Sequence, residues 1–456
     1  MSLSIGLVTR DAGKSIERAL RSVLPLGAEV IVGDTGSKDG TVPTARALGV
    51  TVVDVPWDED FSAAQNHVLD RATGDWVFWV NPDEELVGAA PEHVAALLAR
   101  PDAFAYVVRV QELTSPDRPA GAVETWSPRL FRRRADVRFA GRLHPAFSPP
   151  LDEVARRAGG RLLQADLVLR RHAYLSELTP AKLRWAARLL KRELADRPGH
   201  LHYLVEYGRT LLLLNDPKGH DVMAQAADLV LAAKDAPVAP MATAAPLLEY
   251  LLTVSPEQSR SRATPEQAAE LAGRWFPSSP PLLWVLATRA FQAGDYRAAA
   301  GLLERLVHLG RSNTYDRSAP FDPSLMAEPA LLNLANCYLR LGDLDRAEAT
   351  FGHVMQSPGY QEQARRGYAA AQAARRAGRG SRRGTLTGWP RIPGRDRLLH
   401  WSHPCRPDSG ATSSPTAGRT CSRRPTRRSP TARSRRPSTP TRPSSSASPS
   451  GCGRRS

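Results

Sequence analysis

The chain has 456 residues, of which 42% are hydrophobic and 24% charged, and its formal net charge is +16. This length and apolar content predict two or three globular domains and exclude a chain that is disordered throughout. No apolar run reaches the roughly 18 residues that a membrane span needs, and Arg10 and Asp11 interrupt the apolar start too early for a signal peptide. We therefore expect a cytoplasmic protein with no transmembrane segment.

The positive charge is confined to the carboxyl-terminal segment. Residues 379–456 hold 18 arginines against Asp396 and Asp408, so the rest of the chain is formally neutral and we expect no nucleic-acid partner. Arg, Ser, Pro, Thr and Gly dominate this segment and cannot form a core, which predicts a disordered tail. A binding arm, an inert extension and translation in a shifted reading frame are its alternative origins, and the abrupt change in composition favours the frameshift product.

Short apolar strands alternate with helical segments over the first 110 residues. Strands are predicted at residues 5–8, 30–33, 50–55, 76–80 and 105–110. Ile16, Ala19, Leu20 and Val23 recur at helical spacing between the first two strands. This alternation predicts an α/β domain with a mostly parallel sheet that is covered by helices on both faces.

Polar and acidic residues follow three of these strands. Thr9 and Asp11 come after the first strand, Asp34 ends the second, and residues 81–85 (NPDEE) follow the fourth. Ligands of such sheets bind beyond the carboxyl ends of the strands. Mg²⁺ and Mn²⁺ take oxygen ligands, so an acidic cluster at a strand end is the signal expected of a divalent-cation site.

Helical periodicity dominates from about residue 179. Residues 286–299 and 334–347 resemble each other: each is a helix, a Gly-Asp turn and a second helix, which is typical of tetratricopeptide (TPR) repeats. Gly294 and Gly342 are 48 residues apart rather than 34, so the loop from Ser312 to Pro323 is expected to be an insertion. Generic helical hairpins are the alternative.

The sequence therefore divides into four regions. An α/β domain is expected over residues 1–175 and a helical linker of hairpins over 176–255. TPR-like repeats are expected over 256–378, and the disordered tail covers 379–456.

Three longer segments carry recognisable motifs. They are residues 30–41 (VIVGDTGSKDGT), 57–66 (WDEDFSAAQN) and 73–84 (TGDWVFWVNPDE), followed in order by 128–132, 141–144 and 171–174. This ordered series, spanning about residues 1–210, resembles family 2 glycosyltransferases, and more narrowly the bacterial subgroup fused to TPR repeats. The resemblance implies a GT-A fold, the Rossmann-like fold of nucleotide-diphospho-sugar transferases, with a nucleotide-sugar donor, a divalent cation (Mg²⁺ or Mn²⁺) and inversion at the anomeric carbon.

The resemblance also implies the roles of individual residues. Six are assigned to nucleotide-sugar binding: Thr9, Asp11, Asp34, Asp39, Asn66 and Asn81. Among them, Asp34 corresponds to the carboxylate that accepts a hydrogen bond from the base. Asp83 corresponds to the last, metal-binding Asp of the family's Asp-x-Asp element. His144 stands where some relatives place a further metal ligand or a diphosphate contact.

Three positions depart from the family's pattern. Asn81 replaces the first carboxylate of the metal motif, which removes a charge and predicts weaker metal affinity. Gln65 replaces an Arg that could contact the diphosphate. Pro145 stands where many relatives have Glu, so an acceptor base is absent from that position.

The general base is therefore sought elsewhere. Inversion needs a carboxylate or imidazole within hydrogen-bond reach of the acceptor oxygen, and Glu124, Asp136 and His144 are the candidates. We assign the catalytic role to Glu124 and His144. Trp126 either stacks on an acceptor sugar or packs in the core, while Glu84 and Glu85 are expected to be solvated or helix-start charges.

These observations predict an inverting, metal-assisted glycosyltransferase that carries out hexosyl or related transfer. Its acceptor is a protein, peptide or glycan that the helical repeats contact, because repeat surfaces commonly bind extended partners. The alternative is a degenerate, non-catalytic scaffold that binds a nucleotide sugar or a protein.

Overall fold

The structure is a computed structural model that describes residues 1–113, 122–172, 179–233, 241–317 and 319–378. The expected domain boundary at residues 175/176 and the tail at 379–456 lie outside the described residues. Among the helices in these ranges, none combines the length and the apolar character needed to cross a membrane.

The amino-terminal part alternates strands and helices, as the sequence predicts. Its strands are β1 (Leu3–Thr9), β2 (Glu29–Asp34), β3 (Thr51–Asp54), β4 (Trp76–Trp79), β5 (Glu84–Val87), β6 (Ala103–Leu113), β7 (Val123–Arg132), β8 (Phe139–Ala140), β9 (Ala146–Phe147) and β10 (Arg161–His172). Its helices are α1 (Ile16–Val23), α2 (Thr41–Ala47), α3 (Phe61–Leu69), α4 (Pro91–Ala99) and α5 (Leu151–Arg157).

Eight strands form one sheet in the order β3-β2-β1-β4-β7-β6-β10-β5, and β8 pairs with β9. Strands β3, β2, β1 and β4 are parallel neighbours. Strand β7 is antiparallel to both β4 and β6, and β5 is antiparallel to β10. The mostly parallel α/β sheet is confirmed, with β7 and β5 as the strands that reverse direction.

Helices cover both faces of this sheet because side chains alternate along each strand. Ile5 and Phe78 belong to the core formed with α1 and α4, whereas Ile31 and Val77 belong to the core formed with α3 and α5. A side chain at Gly33 would collide with Val68 of α3, so this glycine permits the close approach of α3 to β2.

The rest of the described chain is helical. Its helices are α6 (Pro180–Asp196), α7 (Leu201–Leu213), α8 (Lys218–Ala232), α9 (Met241–Thr253), α10 (Pro265–Trp275), α11 (Pro280–Gln292), α12 (Tyr296–Ser312), α13 (Glu328–Leu341), α14 (Leu344–Val354) and α15 (Gln361–Gly378). One continuous apolar cluster runs from Leu201 in α7 to Ala371 in α15. This confirms an all-α region after the α/β domain.

The two Gly-Asp turns end and begin helices as predicted. Gly294 and Gly342 adopt φ values of 81° and 77° after α11 and α13, a conformation that favours glycine. Asp295 and Asp343 then cap α12 and α14 by accepting main-chain hydrogen bonds. Both helical hairpins are confirmed, while their assignment as TPR repeats stays a prediction.

The loop between α12 and α13 contacts the sheet. Phe321 exchanges two main-chain hydrogen bonds with Glu124 of β7, of 2.9 and 3.1 Å. Arg317 donates to the Gln164 side chain of β10, and its guanidinium lies 4.9 Å from the ring centroid of Trp126. The predicted insertion therefore attaches the helical region to the strands.

Candidate functional site

The carboxyl ends of β2, β1 and β4 meet at one edge of the sheet. Thr9 pairs with Asp34 across β1 and β2, and the main-chain N–H of Val80 donates to Gly6 in β1. Since neighbouring strands lie about 4.8 Å apart, β2 and β4 run about 10 Å from each other, and Trp79 at the end of β4 is level with Ile31, three residues before Asp34. This edge carries the residues that the sequence assigns to nucleotide-sugar and metal binding at the ends of these strands.

A cavity of about 390 Å³ lies at the ends of β2 and β3. Asp34 lines it and is 5% exposed. Its Oδ2 accepts hydrogen bonds from the N–H groups of Gly36 and Ser37, each 3.0 Å long. Its Oδ1 is buried and has no hydrogen-bond partner among the described residues. A buried acceptor left in this state is available to a donor on a ligand.

The hydroxyl of Thr9 is in a similar state. Its Oγ1 is buried, with no hydrogen-bond partner within the described part of the chain, while its main-chain carbonyl accepts from the N–H and hydroxyl of Thr35. The register of β1 and β2 thus brings Thr9 and Asp34 together.

Asp11 and Asp39 hold the loops that follow β1 and β2 against each other. Asp11 accepts from the N–H of Lys38 at 2.7 Å, and Asp39 accepts from the N–H of Gly13 at 2.9 Å. The hydroxyl of Thr41, with the N–H groups of Gly13 and Thr41, lowers the pKa of Asp39. Both carboxylates therefore order the loops around Thr9 and Asp34.

Asn81 is bound to a buried carboxylate. Its main-chain N–H and its side-chain Nδ2 donate to Glu84 at 2.8 and 2.9 Å. Arg129 of β7 donates to both oxygens of Glu84, at 2.8 and 3.2 Å. Because Glu84 is only 1% exposed, the expectation of a solvated or helix-start charge is wrong for this residue. No local pattern in the sequence signals this ion pair, since Arg129 is distant in the chain.

Asp83 is paired with an arginine. Nε of Arg171 in β10 donates to its Oδ2 at 2.8 Å, and both side chains are about four-fifths buried. Burial lowers the pKa of Arg171, but the carboxylates of Asp83, Glu112 and Glu84 outweigh this effect and raise it overall. A permanent positive charge thus lies beside the carboxylate that the sequence assigns to a metal.

No group of three or more His, Cys, Asp or Glu side chains with metal-binding geometry occurs in the described ranges. Asp83 offers a single carboxylate at the end of β4, and its Oδ2 already accepts from Arg171. Mg²⁺ binds in this way, since it takes one or two carboxylates and completes its coordination with phosphate oxygens and water. A cation at this turn would thus depend on the phosphate oxygens of a diphosphate and on water for most of its ligands.

Asn66 connects α3 to β8. Its Nδ2 donates to the carbonyl of Phe139, and its Oδ1 accepts from the N–H of the same residue, both at 2.9 Å. This paired contact accounts for an asparagine at this position without a ligand, and its assignment to donor binding stays a prediction.

His144 faces the helical region. It has a φ of 54°, its Nε2 lies 3.9 Å from Glu206 of α7, and its ring centroid lies 6.3 Å from that of His202. The preceding residues are anchored as well: Leu143 packs with α6 and α7, and the N–H of Arg142 donates to Glu193 of α6. The first two helices of the all-α region thus position the loop that carries His144.

Glu124 lies on the hairpin of β6 and β7. Its carboxylate accepts from Gln111 at 2.9 Å and is 3.4 Å from Arg109. Leu130 pairs with Phe78, so Glu124 stands about 13 Å beyond the level of Val80 at the rise of an antiparallel strand. Trp126 on this hairpin is covered by Arg317, which favours packing over sugar stacking.

Residues 4–148 match the family model described as glycosyl transferase family 2. A TPR repeat-containing protein of Synechococcus elongatus is 36% identical over 142 residues, which cover 31% of this chain and 34% of that protein. The SPbeta prophage-derived glycosyltransferase SunS of Bacillus subtilis is 27% identical over 147 residues, with the same coverage of 31% and 34%. The matched region thus spans about a third of the length of these relatives.

Solved structures give weaker matches. Glucosyl-3-phosphoglycerate synthase of Mycobacterium tuberculosis has 20% identity and a TM-score of 0.28, covering 42% of this chain and 79% of that one. S. aureus TarS has 14% identity and a TM-score of 0.32, covering 72% and 91%. At these TM-scores the likeness carries no functional argument.

Proposed function

Because residues 4–148 form a glycosyl transferase family 2 domain, we propose that the whole protein transfers a sugar from a nucleotide-diphosphate sugar to an acceptor hydroxyl, with inversion. The observation that carries this proposal is the cavity at the ends of β2 and β3, where the buried Oδ1 of Asp34 lacks a hydrogen-bond partner among the described residues. A base N–H meets that need, since a carboxylate only accepts hydrogen bonds.

The diphosphate is proposed to lie between the cavity at the ends of β2 and β3, here called the base cavity, and the end of β4. Asp83 would hold a divalent cation there, and the cation supplies positive charge to the departing diphosphate. Arg171, 2.8 Å from Asp83, adds a fixed positive charge to the same place. The two hydrogen bonds from Asn81 to Glu84 keep the turn that carries Asp83 in position.

His144 and Glu124 remain the proposed candidates for the general base. Side-chain exposure favours His144, which is 30% exposed against 13% for Glu124. Glu124 also accepts a hydrogen bond from Gln111 and forms an ion pair with Arg109. A base must reach the acceptor oxygen directly or through one water, which gives His144 the stronger support.

The acceptor is proposed to be a protein, peptide or glycan that the helical region helps to bind. Its support is that α6 and α7 contact the loop carrying His144. A cytoplasmic location and contacts through TPR repeats belong to the same proposal.

The test is to incubate the protein with a panel of nucleotide sugars and Mn²⁺ and to measure release of nucleotide diphosphate. We expect release with one donor class, and a loss of at least about a hundredfold in Asp83→Ala, because transition-state charge loses its stabilisation. Glu92→Ala, which removes an exposed acid from α4, is the matched control and should keep full turnover.

The other outcomes separate the alternatives. Donor binding without any release would favour the non-catalytic relative that Asn81, Gln65 and Pro145 suggest. Full turnover in Asp83→Ala would overturn the assignment of the cation and diphosphate to the end of β4. Absence of donor binding would contradict the proposal itself.

A further inference from the structure

The base cavity contains a second carboxylate. Asp54, the last residue of β3, pairs in register with Asp34 at the end of β2. Paired residues on neighbouring strands project to the same face of a sheet. The cavity is lined by Asp34, Thr35, Gly36, Asp54, Val55 and Pro56. Both acids therefore present their side chains to the same space.

Nothing in the lining compensates the two charges. The six lining residues include no Lys, Arg or His, and like charges directly opposite each other on neighbouring strands are destabilising. Asp34 is 5% exposed, and the main chain uses only its Oδ2. The cavity thus suits a ligand that brings one donor to Asp34 Oδ1 and another to Asp54.

The nucleobases differ in the number of hydrogen-bond donors that they present side by side. Guanine presents its ring N1–H and its exocyclic N2 amine side by side, which matches two acceptors. Uracil presents one N–H between two carbonyl oxygens, and adenine presents one amine beside a ring-nitrogen acceptor. Because carboxylates only accept hydrogen bonds, the exposed carboxylate of Asp54 would face an acceptor atom of uracil or adenine and gain no bond from it.

We propose that the nucleotide of the donor is guanosine diphosphate, with Asp54 as the residue that selects the base. This inference rests on the proposed function and names the substrate class of the same site. Asp34 contributes one acceptor to any base that carries an N–H, whereas the second acceptor at position 54 discriminates between bases. Val55 and Pro56 supply apolar surface for the face of the ring.

The experiment is isothermal titration of the full chain with GDP, UDP and ADP in the presence of Mn²⁺. We expect GDP to bind at least about tenfold more tightly than UDP or ADP, because the Asp54 carboxylate repels the carbonyl oxygen of uracil and the ring-nitrogen lone pair of adenine. Asp54→Asn should weaken GDP binding and strengthen UDP binding, since the new amide can donate to a uracil carbonyl. Asp58→Ala, an exposed acid in the following loop that does not line the cavity, should leave all three affinities unchanged.

Two results would overturn the inference while leaving the proposed function in place: UDP or ADP binding as tightly as GDP, or an unchanged GDP-to-UDP ratio in Asp54→Asn. Failure of all three diphosphates to bind would overturn this inference, whereas failure of every donor in the nucleotide-sugar panel would overturn the proposed function and this inference together.

Discussion

At the residue scale, the polar side chains at the strand ends divide into two groups. The carboxylates of Asp11 and Asp39 and the amide of Asn66 make hydrogen bonds within the fold. Asp34 Oδ1 and Thr9 Oγ1 are buried without hydrogen-bond partners in the part of the chain that the structure describes. Their buried, unpartnered oxygens therefore make Asp34 and Thr9 the strongest candidates for contact with a ligand.

Asn81 illustrates how a departure from a family pattern can match its surroundings. Its Nδ2 donates to Glu84, which is 1% exposed and also binds Arg129. An aspartate at this position would place a second carboxylate against the buried one, where either repulsion or protonation opposes folding.

We accordingly predict that Asn81→Asp destabilises the protein by about 2 kcal/mol or more and gives no gain in donor turnover. Chemical unfolding and diphosphate release measure the two effects. Asn81→Ala removes the donor without adding charge and should lose less stability. A large gain in turnover with stability intact would instead indicate a decayed metal motif.

At the element scale, amphipathic periodicity accounts for the helices and alternation for the strands. Ile16, Ala19, Leu20 and Val23 are all buried in α1, as their spacing predicts.

Helix α9 contains a buried ionisable residue. Glu249 is 6% exposed, and its Oε1 has no hydrogen-bond partner among the described residues. Burial raises the pKa of Glu249 to about 8, and the charge of Arg209 opposes this rise only in part.

The raised pKa predicts a pH dependence of stability. Glu249 stays protonated in the folded state up to about pH 8, whereas the unfolded chain releases this proton near its ordinary pKa of about 4.3. The contribution of Glu249 to the free energy of unfolding is thus fully present below its pKa in the unfolded chain, and it is lost as pH rises through its pKa in the folded protein.

We expect the melting temperature of the parent protein to fall between about pH 5 and pH 8 by more than that of Glu249→Gln, which cannot ionise. Thermal unfolding at several pH values measures the difference. Glu270→Gln on α10, which changes an exposed acid, is the control and should follow the parent. Parallel curves for the parent and Glu249→Gln would show that Glu249 is ionised in the folded state.

At the scale of the whole molecule, the α/β domain and the helices share contacts on two sides. Phe321 extends the pairing of β7, and Arg142 contacts α6 through Glu193. Glu193 is 3% exposed and lies 3.9 Å from Arg197 as well. These contacts couple the loop carrying His144 to the packing of α6 and α7.

Removal of Glu193 should weaken this coupling. We predict that Glu193→Ala costs about 1–3 kcal/mol, because the N–H of Arg142 loses its acceptor, and that hydrogen exchange of residues 141–144 becomes faster. Glu193→Gln keeps an acceptor oxygen and should recover most of the protection. Equal protection in the parent and both variants would show that α6 does not hold the loop.

The sequence by itself determined the α/β domain, its first strands, the two Gly-Asp hairpins and the placement of Thr9, Asp34 and residues 81–85 at or after the carboxyl ends of neighbouring strands. Periodicity and strand-end position are local properties, and neighbouring parallel strands bring their carboxyl ends together. The ordered motifs also indicated the glycosyltransferase family whose model residues 4–148 match.

Only the tertiary structure decided which of these side chains already have a hydrogen-bond or ion-pair partner within the fold. The partners of Asp83 and Glu84 are Arg171 and Arg129. These arginines are far away in the chain and lie on strands β10 and β7 of the same sheet. The pairing of Asp54 with Asp34 likewise depends on strand register. Hydrogen bonding, burial and charge balance are properties of the packed neighbourhood, so no local pattern in the sequence contains them.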